Sequence, residues 1–195
     1  MCNRKIFNAL AGGYSNNWTA GEIAHIKKII AAARIKKGMR VLDAGSGKGD
    51  FASFLVKKGA RVTLADCSEK MLSYARRRFR GKKNVKIRRC DVAKTPFKNG
   101  EFGVVFCFNC FPHFYPKETA VVELARTLKK GGILLIAHTA SRKAVNSFHK
   151  KCGFDTCTHY LPGLKVMKAM VKKAGFSAVR ASEKPYYFFY AKKTK

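Results

Sequence analysis

Apolar residues in this chain come in short runs, and the period of those runs alternates between strand and helix. Met39–Ala44 is a largely apolar run that predicts a first strand. Phe51, Phe54 and Leu55 then recur at helical spacing, Gly59 ends that helix, and Arg61–Ala65 is a second short strand. Upstream, Ile23, Ile26, Ile29, Ile30 and Ala33 mark one face of a helix over Ala20–Ile35, which stops before Lys36, Lys37 and Gly38. Downstream, Val104–Phe108 predicts strand 4, and Pro116 opens a helix whose apolar face is Val121, Leu124, Ala125 and Leu128. Ile133–His138 predicts strand 5, and a helix starts from Ser141. A last helix spans Leu164–Ala174, with strands at Ser177–Ser182 and Pro185–Ala191. Strand and helix alternate through most of the chain, which is the signature of an α/β fold.

The most informative stretch is Met39 to Asp66, a strand, a glycine loop, a helix and a second strand with an acid at its tip. Gly45, Gly47 and Gly49 let backbone N–H groups approach a ligand at the start of the new helix. An acid about 20 residues after the glycines accepts from ribose hydroxyls in such units. A dinucleotide loop needs G-x-G-x-x-G, whereas this one reads G-x-G-x-G with Asp50 at the third glycine's place. No G-x-x-x-x-G-K-[ST] is present, so a P-loop is excluded.

V-L-D-A-G-S-G-K-G resembles motif I of the class I S-adenosylmethionine-dependent methyltransferases. Four further segments resemble that family in order: Asp66–Leu72, Cys90–Val92 with Thr95-Pro96-Phe97, Gly100–Phe106, and Leu124–Gly132. The resemblance implies a Rossmann-like sheet of seven mostly parallel strands, strand 7 antiparallel, with helices on both faces. It also implies S-adenosyl-L-methionine as cofactor and S-adenosyl-L-homocysteine as product. On this reading Asp43, Gly45, Ser46, Gly47, Gly49 and Asn109 shape the cofactor site, with Asp43 facing the cofactor's ammonium. Asp66 takes the ribose, Asp91 and the Val92 amide take the adenine, and Cys67 and Met71 pack against it. Ionised carboxylates are pure acceptors, which suits hydroxyl and amine donors. Related enzymes fold an N-terminal segment over the cofactor; here that makes Tyr14 the first candidate and Trp18 the second, against plain packing of the cap.

At 195 residues the chain is expected to form one domain. Residues 1–36 would be an N-terminal cap and helix, 37–138 the cofactor core, 139–163 a cap over the acceptor site, and 164–195 the last helix and strands. The apolar runs are too short to span a bilayer, and Arg4 and Lys5 precede only a broken apolar patch, so neither a membrane span nor a signal peptide is expected. Seven cysteines without an export signal point to the cytoplasm and free thiols.

The net charge is +30, from 41 basic and 11 acidic residues. Nucleic acid is the obvious partner for such a charge. Basic residues are nevertheless spread along the whole chain, and the densest run, Arg76–Arg89, is expected at a sheet edge away from the catalytic mouth. The acids are scarcer and more telling, since Asp43, Asp50, Asp66 and Asp91 fall at or beside the motifs just named.

Candidate acceptor chemistry lies in two places. His113, in F-P-H-F after strand 4, is the candidate general base, because an imidazole titrates near neutrality; a lid histidine with no proton role is the competing reading. His138, Arg142, Asn146 and His149 resemble an H-x-x-S-R-x-x-x-N-x-x-H signature of one subgroup of small class I methyltransferases. From Ser141 onward, Arg142, Asn146 and His149 share one helix face, a polar stripe able to hold a polar or anionic acceptor. The spacing of His149, Cys152, Cys157 and His159 fits no standard zinc pattern, so no metal is assigned. Cys107 and Cys110 form a C-x-x-C better suited to core packing than to redox work. With little chain left to build a large acceptor site, a small-molecule acceptor fits best, such as a thiol or another soft nucleophile. An RNA methyltransferase is the alternative that the charge favours, and a non-catalytic S-adenosylmethionine-binding protein is the second.

Overall fold

The computed structural model describes the chain apart from residues 1–3, 14–16, 156–157 and 195, with backbone only at 4, 5, 178 and 179. Seven strands form one sheet: β1 (Arg40–Ala44), β2 (Arg61–Asp66), β3 (Val85–Arg89), β4 (Phe102–Phe108), β5 (Leu128–Ala137), β6 (Phe176–Ser182) and β7 (Phe188–Lys193). Their order is β3-β2-β1-β4-β5-β7-β6. The first five strands pair in parallel, and β7 runs antiparallel to both β5 and β6. The topology switches between β1 and β4, so the carboxyl ends of these strands open the crevice where open α/β sheets bind ligands.

Successive strand residues face opposite layers, and each layer has its own core. Val41, Val62, Val104 and Phe106 pack under α2 (Ala20–Ala32), α3 (Ala52–Lys57) and α4 (Glu69–Arg78). Leu42, Val105, Leu134 and Ile136 face α5 (Lys117–Thr127) and α7 (Leu164–Lys173), with Val145 of α6 (Arg142–Lys151) joining them. A parallel sheet buried on both faces explains why its strands are continuous apolar runs.

Several helix starts are capped as their sequence dictates. Thr19 and Glu22 form a reciprocal capping box on α2, Glu22 N–H donating to Thr19 Oγ1 over 3.3 Å and Thr19 N–H to Glu22 Oε2 over 2.8 Å. Ser68 caps α4 by accepting from Met71 N–H, and its hydroxyl donates to Asn8 Oδ1 over 2.7 Å. That second bond seats α1 (Arg4–Leu10), a helix that the Gly/Asn-rich N-terminal composition did not announce.

Other boundaries shift for local reasons. α2 stops at Ala32 rather than Ile35, because Arg34 adopts φ +50 in the left-handed region. β5 begins five residues earlier than expected: Leu128 leaves the helix with extended dihedrals and pairs with Phe102, ahead of an irregularity between Phe102 and Val104. β7 starts at Phe188 rather than Pro185. The backbone of Tyr187 instead ties the loop after β5, donating to Ala140 O and accepting from His138 N–H, each over 2.9 Å.

Candidate functional site

An open cleft of about 1030 Å³ lies at the carboxyl ends of the central strands. Asp43, Gly45, Ser46, Gly47, Asp66, Cys67, Met71, Asp91, Val92, Asn109 and His113 all line it. Four of the chain's five aspartates, Asp43, Asp50, Asp66 and Asp91, meet there. Trp18 is in the wall, packed edge-on to Phe108 at 6.0 Å between ring centres. Tyr14 falls outside the described residues.

The glycine loop takes its shape from left-handed backbone and close neighbours. Gly45 has φ +74, and a Cβ there would fall 2.7 Å from Cys110 Cβ and 2.8 Å from its sulfur. The Cys110 thiol donates to Ala44 O over 3.0 Å, so β4 and β1 grip the loop from below. Gly49 does not line the cleft. A Cβ there would fall 2.6 Å from Phe79 Cε2 and 2.8 Å from Leu64 Cδ2, so this glycine lets α4 and β2 close on the loop. Gly47 lies between them with open space on its side-chain side, and its N–H donates to Asp66 Oδ2 over 2.8 Å.

Two of the acids, Asp43 and Asp66, are shifted by burial. Asp43 is buried, and its Oδ2 has no hydrogen-bond partner. Burial, then the charges of Asp66 and Asp50, push its carboxyl up to about 8. Burial also raises Asp66, opposed by hydrogen bonds from the N–H groups of Ser68, Gly47 and Cys67. Ser46 Oγ is a second buried atom without a partner. Two unpaired polar atoms beside an open glycine loop form a polar cradle, which fits a ligand rich in hydroxyls and amines. Asp91 Oδ1 accepts from Ala93 N–H over 2.9 Å, a bond that folds the turn carrying Val92 to the wall.

Asn109 keeps the next turn open. It sits at φ +53, and its side chain is engaged with Thr139, accepting from the N–H over 3.0 Å and donating to Oγ1 over 3.3 Å. Cys67 is disulfide-bonded, contrary to the expectation of free thiols throughout, whereas Cys90, Cys107, Cys110 and Cys152 are free. Burial pushes the Cys90 thiol up to about 12, a neutral wall group.

The other end of the cleft is aromatic, with Phe7, Phe114 and Tyr115 around His113. The His113 ring packs edge-on to Phe7 at 4.8 Å and lies 4.7 Å from the His149 ring. Its Nδ1 stands 3.1 Å from His159 Nδ1, so one ring donates and the other accepts. Burial, then the charges of His149 and His159, drive His113 down to about 2. An imidazole held neutral in this way takes up a proton reluctantly.

His138, Arg142, Asn146 and His149 do not line the cleft. The α6 stripe instead ties down the segment that follows it. Asn146 clamps Leu161, donating to its carbonyl over 3.1 Å and accepting from its N–H over 2.7 Å. His149 Nδ1–H donates to His159 O over 2.9 Å. Arg142 pairs with Glu183 at 3.1 Å. His138 is buried against Tyr187, and its Nε2 has no partner. Lys117, which the sequence did not single out, is buried and donates to the carbonyls of Pro112, Phe114 and Thr158. It sits at the first position of α5. Among the described residues no group of three or more His, Cys, Asp or Glu is arranged to hold a metal, and no helix is long and apolar enough to cross a membrane.

Comparison with known proteins places this cleft in context. Residues 42–136 match the model of a methyltransferase domain family. The ubiquinone/menaquinone biosynthesis C-methyltransferase UbiE of Cupriavidus taiwanensis is 31% identical over 139 residues, 67% of this chain and 57% of that protein. The chain thus spans little more than half the length of that relative. Among solved structures, the complex between the Haloferax volcanii Trm112 methyltransferase activator and the putative methyltransferase superposes with a TM-score of 0.79 at 16% identity, covering 97% of this chain and 98% of that one. Phosphoethanolamine N-methyltransferase 2 of Haemonchus contortus, in complex with S-adenosyl-L-methionine, gives 0.76 at 21% identity over 99% of this chain and 58% of that one. The solved structures share the fold, the domain match and the UbiE relative point to one family, and the chain belongs to the class I S-adenosylmethionine-dependent methyltransferases.

Proposed function

We propose that the protein transfers a methyl group from S-adenosylmethionine to a small-molecule acceptor that is a soft nucleophile, such as a thiol. When bound, the cofactor would supply an electrophilic methyl on a cationic sulfur; the acceptor's lone pair, for a thiol that of the thiolate once its proton has passed to solvent, would form the new bond as the C–S electron pair stays with the sulfur of S-adenosylhomocysteine. This chain's residues bind and orient. Asp66 accepts from the ribose, Asp91 and the Val92 amide meet the adenine, and Met71 packs on it. Asp43 and the Asn109 turn face the methionine end. Holding the two reactants in line supplies most of the rate effect in such chemistry.

One observation carries the acceptor reading. The described wall at the aromatic end offers His113 as its titratable imidazole, and that ring is held neutral and weakly basic. An acceptor that needs a strong base at neutral pH is poorly served there, whereas a soft nucleophile such as a thiol, part of which ionises in water near neutrality, needs little help. The test is incubation with methyl-labelled donor and a cell extract, followed by fractionation into small molecules, RNA and protein. Label in the small-molecule fraction is expected, and label only in RNA overturns the reading.

A second reading, RNA as acceptor, is favoured by a specific placement. Nine of the fourteen residues from Arg76 to Arg89 are basic. They cover the end of α4 and the edge strand β3. The edge position agrees with the sequence reading, but the distance from the mouth does not, since β3 ends at Arg89 and the next residues, Cys90 and Asp91, line the cleft. RNA affinity that falls steeply with salt, together with label in RNA, supports that reading.

A further inference from the structure

Four of the chain's five histidines gather behind the aromatic end of the cleft, where His138, His149 and His159 all act electrostatically on His113. Lys117 of α5 joins them, its charge held by three carbonyl dipoles and by the Tyr160 ring 4.6 Å away. The acids that bear on this group are exposed. Glu118 acts on Lys117, and Asp155, which accepts from Thr158 Oγ1 over 3.0 Å, acts on His159.

We propose that the acceptor is a small anion bound at His113, between the aromatic wall and the positive cluster set by Lys117. The inference rests on the reading of this cleft as a methyl-transfer site and names the charge of its second ligand. His149 Nδ1–H is committed to His159 O, and the His113–His159 contact needs one donor. With His159 as that donor, the His113 proton resides on Nε2 and is free to meet an anion. The Lys117 ammonium acts electrostatically on this ring, and the apolar side chains of Phe7 and Phe114 in the wall lower the local dielectric through which its charge acts. An anion also brings no proton to be removed, which matches an imidazole held at about 2 by burial and by its cationic and imidazole neighbours. The buried, unpartnered Nε2 of His138 adds a further polar atom to the same cluster.

The test begins with S-adenosylhomocysteine binding to the full chain by calorimetry, which judges the methyl-transfer reading by itself. Thiocyanate and its neutral counterpart acetonitrile are then titrated at constant ionic strength, with and without S-adenosylhomocysteine. Emission of Trp18, the single tryptophan and a cleft residue, and the imidazole NMR signals report binding. Saturable thiocyanate binding that shifts the His113 signals is expected, with no response to acetonitrile. His113→Leu and Lys117→Met should each weaken thiocyanate by about tenfold or more, as loss of a desolvated charge contact does. Because Lys117→Met also strips hydrogen bonds from the fold, Lys117→Arg, which keeps the charge, should retain binding. Equal response to acetonitrile, a non-saturating thiocyanate effect, or binding unchanged in His113→Leu overturns the proposal.

Discussion

The N–H of Gly47 donates to Asp66 Oδ2 over 2.8 Å, so the middle of the glycine loop is fastened to the tip of the neighbouring strand. Asp66 thereby shapes the loop and offers its carboxylate to the cleft at once. Asp66→Ala is expected to lower S-adenosylhomocysteine affinity at least about a hundredfold, since a charged acceptor and the loop's fastening go together. Calorimetry on the folded variant checks this, and undiminished affinity refutes the assignment of Asp66 to the ribose.

Gly45→Ala should destabilise the protein by roughly 1–3 kcal/mol, through a Cβ in the left-handed region and a forced shift of Cys110. Cys110→Gly removes the atoms in the way, so the double variant should recover part of the loss but not the backbone strain. Thermal melting of the three variants separates the two contributions.

Asp43 gives stability a definite pH slope. Its folded carboxyl is raised to about 8 from an ordinary 3.8, so the native state holds a proton that the unfolded chain has released between those values. The native state binds more protons in that window, and stability therefore falls as pH rises through it, by an amount on the order of a few kcal/mol. Asp43→Asn, which cannot ionise, should lose this slope. The expected observation is a melting-temperature advantage of the variant over the wild type that grows from about pH 5 to about pH 8 without cofactor. A constant difference would remove the buried-acid argument.

Asn146→Ala should free the segment around Leu161, costing roughly 1–3 kcal/mol for two hydrogen bonds and the groups left bare. Hydrogen exchange at the Leu161 amide should speed up. S-adenosylhomocysteine affinity should stay within about threefold of wild type, because Asn146 does not line the cleft.

The donor half of the site was readable because its determinants are local. Three glycines, an acid at each strand tip and the apolar runs between them specify a βαβ unit within thirty residues, and backbone geometry does the rest. The acceptor half resisted for the opposite reason. His113, His149 and His159 come from three separate segments, and no spacing rule says that their rings meet. The helical period of Arg142, Asn146 and His149 was right, but it could not say whether that face looked at a ligand or at the next stretch of chain. Phe7 and Lys117 were invisible because α1 is seated by a contact 60 residues away, Ser68 to Asn8, and because Lys117 reaches the carbonyl of Thr158, 41 residues away.

The distribution of charge has a kinetic consequence. The donor is a cation overall, and its product, having lost the sulfonium, is not; both travel through the field of a chain at +30. Long-range repulsion slows the donor's approach until it reaches the ionised aspartates of the cleft, whereas the anionic acceptor proposed above would be drawn in. Added salt shortens the reach of that field to about 10 Å at 0.1 M. Capture of the donor should therefore quicken with ionic strength and capture of the acceptor should slow, so the salt concentration at which turnover peaks marks where the two rates cross.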